Sequence, residues 1–521
     1  MRSGYRGRYR MAPEEEKFGE SDVSAAHSIL DGRRGGILLH ITSLPGNLNN
    51  GDLGREAYRF VDFMVGCGLS VWQTLPVNPT HPDGSPYQCL SAHAGNPRMI
   101  DLGWLVDRGW LTPDDIRVAS LSVSSEFDPR EHCLFLAREA FERSGAGFSE
   151  SYQSFLQRHQ DWLPDFSLFM AIRAELGGQC WQDWPADLRD RQPAALKAAR
   201  QRLAQRVNQA NFEQYVFFEQ WQALRAYANS RGILLFGDIP IFVAGDSADV
   251  WARREEFDLI GEGRSRVVAG VPPDYFSATG QRWGNPHYRW DRMQANGFSW
   301  WLERFKGQLT LYDWIRIDHF RGLEAYWEIP AHSDTAMEGR WVKAPGEALL
   351  QALFDSVEGG GLPLIAENLG IITPEVEALR ERFDIPGMLI LQFAFDGGPG
   401  NPYLPHNHTP NNVVYTGTHD NDTTLSWFSD LDTGQQEHVN RYLGNPACGM
   451  PRALVQSALA SVAKLAILPM QDVLGLGKGH RMNTPGTTLG NWAWRFTWDQ
   501  VEEQDSSWLH ENMHLYGRGP C

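Results

Sequence analysis

Four acidic residues in this chain each follow a short apolar run, at positions where a strand would end. They are Asp238, Asp318, Glu367 and Asp420. Because the carboxyl ends of parallel strands meet at one edge of a barrel, we expect these carboxyl groups to lie close together. Two carboxyl groups in such a place can act as nucleophile and general acid on a glycosidic bond, and a third can bind hydroxyl groups. The pattern therefore favours glycoside chemistry.

The segment Trp314–Asp318 is central to this interpretation. Side chains alternate along a strand, so Arg316 shares a face with Trp314 and Asp318, while Ile315 and Ile317 take the other face. If the isoleucines pack against helices, the arginine and the aspartate point into a closed barrel. The guanidinium group favours an ionised carboxylate, so we predict that Asp318 stays charged and available as a nucleophile. A structural ion pair is the alternative explanation.

Metal binding is a competing use for clustered acids, because Mg²⁺ and Ca²⁺ take oxygen ligands. A cationic side chain, Arg316, lies in the middle of the predicted cluster. Its charge argues against a second cation at the same place.

Eight apolar runs predict eight strands, separated by segments with helical spacing. The runs cover residues 36–42, 71–76, 233–240, 314–318, 363–368, 387–395, 412–419 and 466–474. Amphipathic segments such as 54–66 and 298–311 lie between them and predict helices. This alternation is typical of an α/β protein, and the presence of eight predicted strands indicates a (β/α)₈ TIM barrel.

Three segments do not follow the repeating pattern. Residues 78–210 predict an inserted, mostly helical subdomain, because no strand of the barrel type occurs there. Residues 246–288 are rich in Gly, Pro and Asp and too long for a passive turn, so we predict a loop that covers the substrate. Residues 1–33 are polar and aperiodic, which predicts a disordered tail before the catalytic barrel at 34–521. A plastid transit peptide is the alternative for this tail.

Composition limits the classes of partner. The chain has 47 basic and 64 acidic side chains, and this net charge of -17 argues against nucleic acid as a partner. No apolar run reaches the roughly 18 residues of a membrane span, so no membrane association is expected. The six cysteines form no C-x-x-C pair, which predicts neither zinc nor a disulfide framework and favours the cytoplasm. The twenty tryptophans suit stacking on sugar rings. Oligomeric state stays open.

Several longer motifs occur in order between Gly35 and Asn491. They include Gly-Asp-Leu-Gly at 51–54, Ser-Pro-Tyr-Gln at 85–88, Ala-Gly-Asn-Pro at 94–97, Trp-Gly-Asn-Pro at 283–286, Arg-Ile-Asp-His-Phe-Arg-Gly at 316–322, Ala-Glu-Asn-Leu-Gly at 366–370, Thr-His-Asp-Asn at 418–421 and Met-Asn-Thr-Pro-Gly-Thr at 482–487. With these motifs the chain resembles the 4-alpha-glucanotransferases of the amylomaltase, or disproportionating-enzyme, family, a branch of the alpha-amylase clan.

The resemblance implies roles for individual residues. Asp318 would be the nucleophile, Glu367 the general acid/base, and Asp420 a third acid that binds sugar hydroxyls and helps to distort the ring. Arg316 and His419 match the clan's partners of the nucleophile and of the sugar at the cleavage subsite. Further residues fall on segments that line the donor and acceptor subsites in the family. These are Tyr87, Asp274, Gln281, Trp283 and Asn483.

The resemblance also implies an activity. The chain would transfer α-1,4-glucan segments from a donor malto-oligosaccharide to the 4-hydroxyl of an acceptor glucan or glucose, by a retaining double displacement without a metal or organic cofactor. Its partners would be malto-oligosaccharides and α-1,4-glucans. An α-1,4-glucan hydrolase of the alpha-amylase type is the alternative. A glycan-binding protein on an inactive barrel would lack one of the three acids, and all three are present.

Overall fold

The computed structural model describes residues 32–46, 48, 50–121, 128–273, 277–357 and 361–519. Eight parallel strands form one sheet in the described chain. In chain order they are Arg34–Leu38, Val71–Gln73, Leu234–Pro240, Trp314–Asp318, Leu364–Ala366, Gly387–Ile390, Asn412–Tyr415 and Leu465–Pro469. We number them as barrel strands 1 to 8. All eight correspond to predicted strands, and the predicted (β/α)₈ barrel is confirmed.

Barrel strands that follow one another in the chain pair with each other, except strands 5 and 6, and strand 1 pairs with strand 8. The remaining gap lies between strands 5 and 6, where the backbone N–H of Ala366 donates a hydrogen bond to the carbonyl oxygen of Pro386 at 2.9 Å. Six of the eight predicted strands, all except strands 3 and 4, end earlier than expected. After strand 6 the chain turns into a 3₁₀ helix at Leu391–Phe393, and after strand 8 it turns into an α-helix at Met470–Val473.

Helices surround the barrel. Those next to the strands are Arg55–Gly66, Ala204–Ser230, Ser299–Leu311, Gly346–Asp355, Pro374–Arg382, Thr424–Asp430, Thr433–Tyr442, Arg452–Ala460 and Glu503–Leu515. The longest of these, Ala204–Ser230, begins inside the predicted insertion at 78–210 and leads into strand 3. Within 78–210 the other α-helices are Leu102–Asp107, Pro113–Leu121, Pro129–Arg143, Glu150–Arg158, Leu163–Glu175, Ala186–Arg189 and Pro193–Arg202. None of the helices in the described ranges is long and apolar enough to cross a membrane.

The two faces of barrel strand 4 differ as predicted. Ile315 and Ile317 are buried in the large outer core, whereas Trp314 belongs to the separate cluster that fills the barrel interior. That cluster also contains Phe236, Tyr415 and Ile467 from other strands. The interior is therefore packed with side chains, and polar groups are left to the carboxyl ends of the strands, which we call the rim.

A second sheet was not predicted from the sequence. Four antiparallel strands form it, in the order Arg340–Lys343, Ala325–Pro330, Val267–Val271 and Gln281–Arg282. We call this the side sheet. The segment 246–288 is therefore not simply a loop, since it supplies two of these strands and the helix Ala248–Ala252. The helix Trp290–Ala295 follows it. That it covers substrate stays a prediction.

The predicted tail lies mostly outside the described residues, since the description begins at residue 32. At its end, the guanidinium group of Arg33 donates hydrogen bonds to the carbonyl oxygens of Leu459, Ser461 and Tyr516. Arg33 is therefore held against the C-terminal part of the chain.

Close packing at barrel strand 3 gives a stability prediction. A Cβ atom at Gly237 would lie 2.2 Å from the ring of the fully buried Tyr312, so Gly237→Ala should destabilise the protein by about 1–3 kcal/mol. Gly66→Ala is the control, because a Cβ at this helical position meets no atom within 4 Å and should change stability by less than about 1 kcal/mol. Thermal denaturation followed by circular dichroism measures both. Equal midpoints for the two variants would contradict this packing.

Candidate active site

The guanidinium group of Arg316 joins two carboxyl groups at the rim. It donates to Asp238 Oδ2 at 2.5 Å and to Asp318 Oδ1 at 2.7 Å. The hydroxyl of Tyr87 donates to the same Asp238 oxygen at 2.6 Å. Strands 3 and 4 place these groups because Asp238 and Arg316 are direct neighbours in the parallel pairing. Asp318, at the end of strand 4, is 30% exposed and so faces the open side of the rim.

Backbone N–H groups hold both oxygens of Glu367. Oε2 accepts from the N–H of His319 at 2.7 Å, and Oε1 accepts from the N–H of Leu369 at 2.8 Å. His319 has a left-handed backbone with φ of 52°, which aims its N–H across to strand 5. The carbonyl of Glu367 in turn accepts from the N–H of Phe320 at 3.1 Å. These bonds tie the ends of strands 4 and 5 together and fix the Glu367 side chain beside Asp318.

Asp420 lies on the loop that follows strand 7. Its Oδ1 accepts from Asn483 Nδ2 at 2.6 Å, and its Oδ2 is 3.4 Å from Nε2 of His419. The imidazole of His419 stacks on Tyr87 with ring centres 5.2 Å apart. Asp420 keeps 46% of its side chain exposed. The third acid is therefore connected through Tyr87 to the Arg316 group.

A buried carboxyl group holds both ends of this loop. Asp472, which follows strand 8, accepts from the hydroxyl of Thr416 at 2.5 Å and from the N–H and hydroxyl of Thr424 at 2.8 and 2.6 Å. Thr416 follows strand 7, and Thr424 begins the next helix. The position of His419 and Asp420 therefore depends on strand 8.

Gln281 and Trp283 come from the edge of the side sheet nearest the rim. The indole N–H of Trp283 donates to Gln281 Oε1 at 3.1 Å. The Trp283 ring meets the His319 ring edge to face, with centres 4.9 Å apart. Trp283 thus contacts the residue whose backbone holds Glu367, and Gln281 contacts Trp283. Asp274, the remaining predicted binding residue, lies outside the described residues.

Electrostatics at the rim differ from the prediction in one respect. Burial raises the pKa of Asp318, Arg316 lowers it, and the carboxyl groups of Asp238, Glu367 and Asp420 raise it. The net direction is upward, because burial, the largest cause, outweighs the guanidinium group, whose charge Asp238 shares. Asp318 is therefore harder to ionise than the sequence predicts, and its role as a nucleophile stays a prediction.

Two further groups at the rim have shifted pKa values. Burial raises the pKa of Glu367, although Arg316 and the two backbone N–H groups lower it. Burial lowers the pKa of His419, so its imidazole is neutral at pH 7. A carboxyl group with a raised pKa near an ionisable carboxylate suits a general acid beside a nucleophile.

Two residues at the rim were missed by sequence reasoning. One is His319, whose role depends on its backbone. The other is Trp492, whose ring centre lies 5.9 Å from that of Tyr87 and 6.0 Å from that of His419. Trp492 has a φ of 62°, and its N–H donates to the carbonyl of Met482. An aromatic residue so soon after the 482–487 motif was the signal that could have identified it.

A cleft elsewhere in the described chain does not offer this chemistry. A cleft of about 620 Å³ lies along the helix Pro193–Arg202, but its lining contains none of the rim carboxyl groups. Within the described ranges, no group of three or more His, Cys, Asp and Glu side chains could hold a metal ion. We therefore place the candidate active site at the rim.

Comparison with known proteins gives a consistent result. A family model described as 4-alpha-glucanotransferase matches residues 39–501. The 4-alpha-glucanotransferase of Synechocystis sp. is 48% identical over 501 residues, covering 94% of this chain and 99% of the relative. That of Thermus thermophilus is 50% identical over 478 residues, covering 88% and 94%. A Solanum tuberosum relative, named 4-alpha-glucanotransferase, chloroplastic/amyloplastic, is 41% identical over 503 residues, covering 94% and 87%.

Solved structures agree with these relatives. The amylomaltase from Streptococcus agalactiae in complex with acarbose has a TM-score of 0.89 and 38% identity, over 94% of this chain and 100% of the other. The amylomaltase from Corynebacterium glutamicum, at 21% identity, shares the fold with a TM-score of 0.71, over 95% of this chain and 76% of the other. The similarity therefore covers the barrel and its insertions together.

The shared guanidinium group gives a prediction about pH. Arg316→Met removes the charge that lowers the pKa of Asp318, so this pKa should rise further. If Asp318 reacts as an anion, activity is lost as the pH falls through its pKa, and the acidic limb of the pH–activity profile should move to higher pH. Arg225→Met is the control, since Arg225 pairs with Asp313 at the other end of strand 4. An acidic limb that stays in place for Arg316→Met would contradict this prediction.

Proposed function

The chain belongs to the 4-alpha-glucanotransferase family and has its activity, the transfer of α-1,4-glucan segments, and we propose that Asp318 and Glu367 carry it out by a retaining double displacement. One observation supports these roles above all. Asp318 accepts from Arg316 at the open rim, while backbone N–H groups fix Glu367 on the neighbouring strand. Retaining enzymes use two carboxyl groups about 5 Å apart in this way.

In the first step the carboxylate of Asp318 attacks C1 of the donor sugar. The bond from C1 to the glycosidic oxygen breaks, and Glu367 gives its proton to that oxygen. The products are a glucosyl ester of Asp318 and a shorter glucan with a free 4-hydroxyl. The raised pKa of Glu367 supports this role, since the group holds its proton at higher pH than an ordinary glutamate.

In the second step Glu367, now ionised, removes the proton from the 4-hydroxyl of an acceptor. The acceptor oxygen attacks C1, the ester bond breaks, and Asp318 returns as a carboxylate. Two inversions at C1 give net retention of the α configuration. Arg316 contributes by stabilising the negative charge of Asp318 at the start and the end of the cycle.

The remaining predicted residues fit substrate binding. Asp420 has an exposed carboxyl group held by Asn483, and we assign both to sugar hydroxyl groups, with the neutral His419 beside them. Tyr87 and Trp283 offer aromatic faces on two sides of the rim. Gln281 orients the Trp283 indole. Asp274 lies outside the described residues, and its part in substrate binding stays a prediction from the family resemblance.

Transfer competes with hydrolysis, because water can also resolve the ester. The relatives are named transferases, so the hydrolase alternative is not favoured. We propose that residues 246–288 help to hold an acceptor sugar where water would otherwise react, since this segment supplies Gln281 and Trp283 at the rim.

We further propose malto-oligosaccharides as the donors and the cytoplasm as the location. The cysteines in the described residues are free, which suits a reducing compartment. The potato relative is named for a plastid instead. Cell fractionation with an antibody to the chain decides between these compartments.

Incubation with maltotriose tests the activity. A transferase converts two maltotriose molecules to maltopentaose and glucose, so the number of reducing ends stays constant while longer and shorter products appear. Chromatography measures the products, and a reducing-end assay measures the ends. A steady increase in reducing ends, with no product longer than maltotriose, would contradict the proposal and indicate a hydrolase.

Two substitutions test the assigned roles. Asp318→Asn should lower turnover by more than about 10⁴-fold with every donor, because no ester can form. Glu367→Gln should lower turnover of maltotriose by about 10²–10⁴-fold, but formation of the ester from α-maltosyl fluoride should be affected far less, because fluoride leaves without a proton. Asp62→Asn is the control, since Asp62 pairs with Arg231 away from the rim. Equal losses with both donors for Glu367→Gln would exclude it as the general acid.

A further inference from the structure

Trp341 differs from the other tryptophans of the chain. All twenty lie within the described residues, and Trp341 is the only one that is exposed, with 38% of its surface accessible. It lies on the outer strand of the side sheet, Arg340–Lys343. Met337 and Ile371 are also exposed, at 60% and 53%. Single exposed apolar residues are common, but exposed apolar patches mark binding sites.

Two neighbouring side chains hold the Trp341 ring in place. The guanidinium group of Arg321 lies 3.7 Å from the centre of its ring, and the Trp327 ring meets it edge to face at 5.2 Å. Trp327 is itself fixed, since its indole N–H donates to the carbonyl of Ala336 at 2.9 Å. Two contacts therefore set the orientation of an exposed ring before any ligand binds, which lowers the entropic cost of binding.

The two exposed basic side chains near Trp341 are paired with carboxylates, while the third, Arg321, is buried against the ring. Arg340 bonds Glu328 at 2.7 Å, and Lys343 bonds Glu324. The surface around the ring therefore has little net charge to attract an ionic partner. The Trp341 indole N–H has no hydrogen-bond partner among the residues that the structure describes, and it can donate to a hydroxyl group.

The side sheet connects Trp341 with the active site. Pairing places Arg282, Gly270, Trp327 and Trp341 in one row across the four strands. At about 4.8 Å per strand, this row spans about 14 Å, from beside Trp283 at the rim to the outer edge. A second connection runs through Arg321, which donates to the carbonyl of Ile371, four residues after Glu367. The exposed ring thus lies on the elements that carry the rim residues.

We propose that Trp341, with Met337 and Ile371, forms a second glucan-binding surface, which holds a part of a long α-1,4-glucan away from the bond that is cleaved. The occupant is the neutral, flat-faced sugar chain of the enzyme's own substrate. Its apolar ring face stacks on the indole, and its hydroxyl groups meet the indole N–H and the paired charges at the edge. This inference rests on the proposed function for the identity of the sugar.

Binding is measured without turnover in the Asp318→Asn background. Affinity gel electrophoresis through glycogen gives a dissociation constant for the full chain. Adding Trp341→Ala should weaken glycogen binding by roughly three- to tenfold, the value of one aromatic stacking contact. Trp341→Phe should restore most of the loss, since a smaller ring still stacks. Phe148→Ala is the control, because Phe148 is 89% exposed on the helical insertion and should not matter.

Kinetics in the otherwise unchanged chain separate this surface from the rim. Trp341→Ala should raise the KM for long amylose by a similar factor, while kcat/KM for maltotriose, which is too short to reach both places, changes by less than twofold. Unchanged glycogen binding overturns the inference, and so does an equal loss with amylose and maltotriose. Failure of the unsubstituted chain to convert maltotriose would instead refute the proposed function. The glycogen measurement would still test whether Trp341 binds glucan.

Discussion

A buried guanidinium group shared by two carboxyl groups lies at the centre of this molecule. Arg316 is 4% exposed, and its nitrogens contact Asp238 and Asp318 at 2.5 and 2.7 Å. A buried charge without such partners would cost several kcal/mol. The strands that carry these three residues must therefore keep their register, and a shift of one residue would turn the group into the outer core. The same group lowers the pKa of the candidate nucleophile, against the effect of burial.

The other two acids depend on the chain around them as well as on their own strands. Glu367 is oriented by backbone N–H groups, one from the left-handed His319 at the end of strand 4. The loop with Asp420 is held at both ends by Asp472, which comes from strand 8. Each rim carboxyl group is thus positioned by a neighbouring strand. The site is therefore assembled only when the barrel strands are paired.

The side sheet extends the molecule beyond its barrel. Its inner edge supplies Gln281 and Trp283 to the rim, and its outer edge exposes Trp341. Antiparallel pairing joins the segment after strand 3 to the segment after strand 4. A polymer substrate is much longer than the space around one cleaved bond. A rigid sheet that starts at the site and ends at an exposed aromatic ring suits such a substrate.

The sequence by itself determined the barrel and the three acids. Alternating polar and apolar residues in Trp314–Asp318, and an acid after each of several apolar runs, are local patterns, and local patterns follow from which face of a strand is buried. Only the tertiary structure decided that Asp238 shares Arg316 and that the His319 backbone holds Glu367. The same is true of the contact between Trp492 and Tyr87 and of the pairing of residues 267–271 with 325–330. These contacts join segments tens to hundreds of residues apart, and their geometry depends on barrel closure and backbone direction, which residue type does not encode.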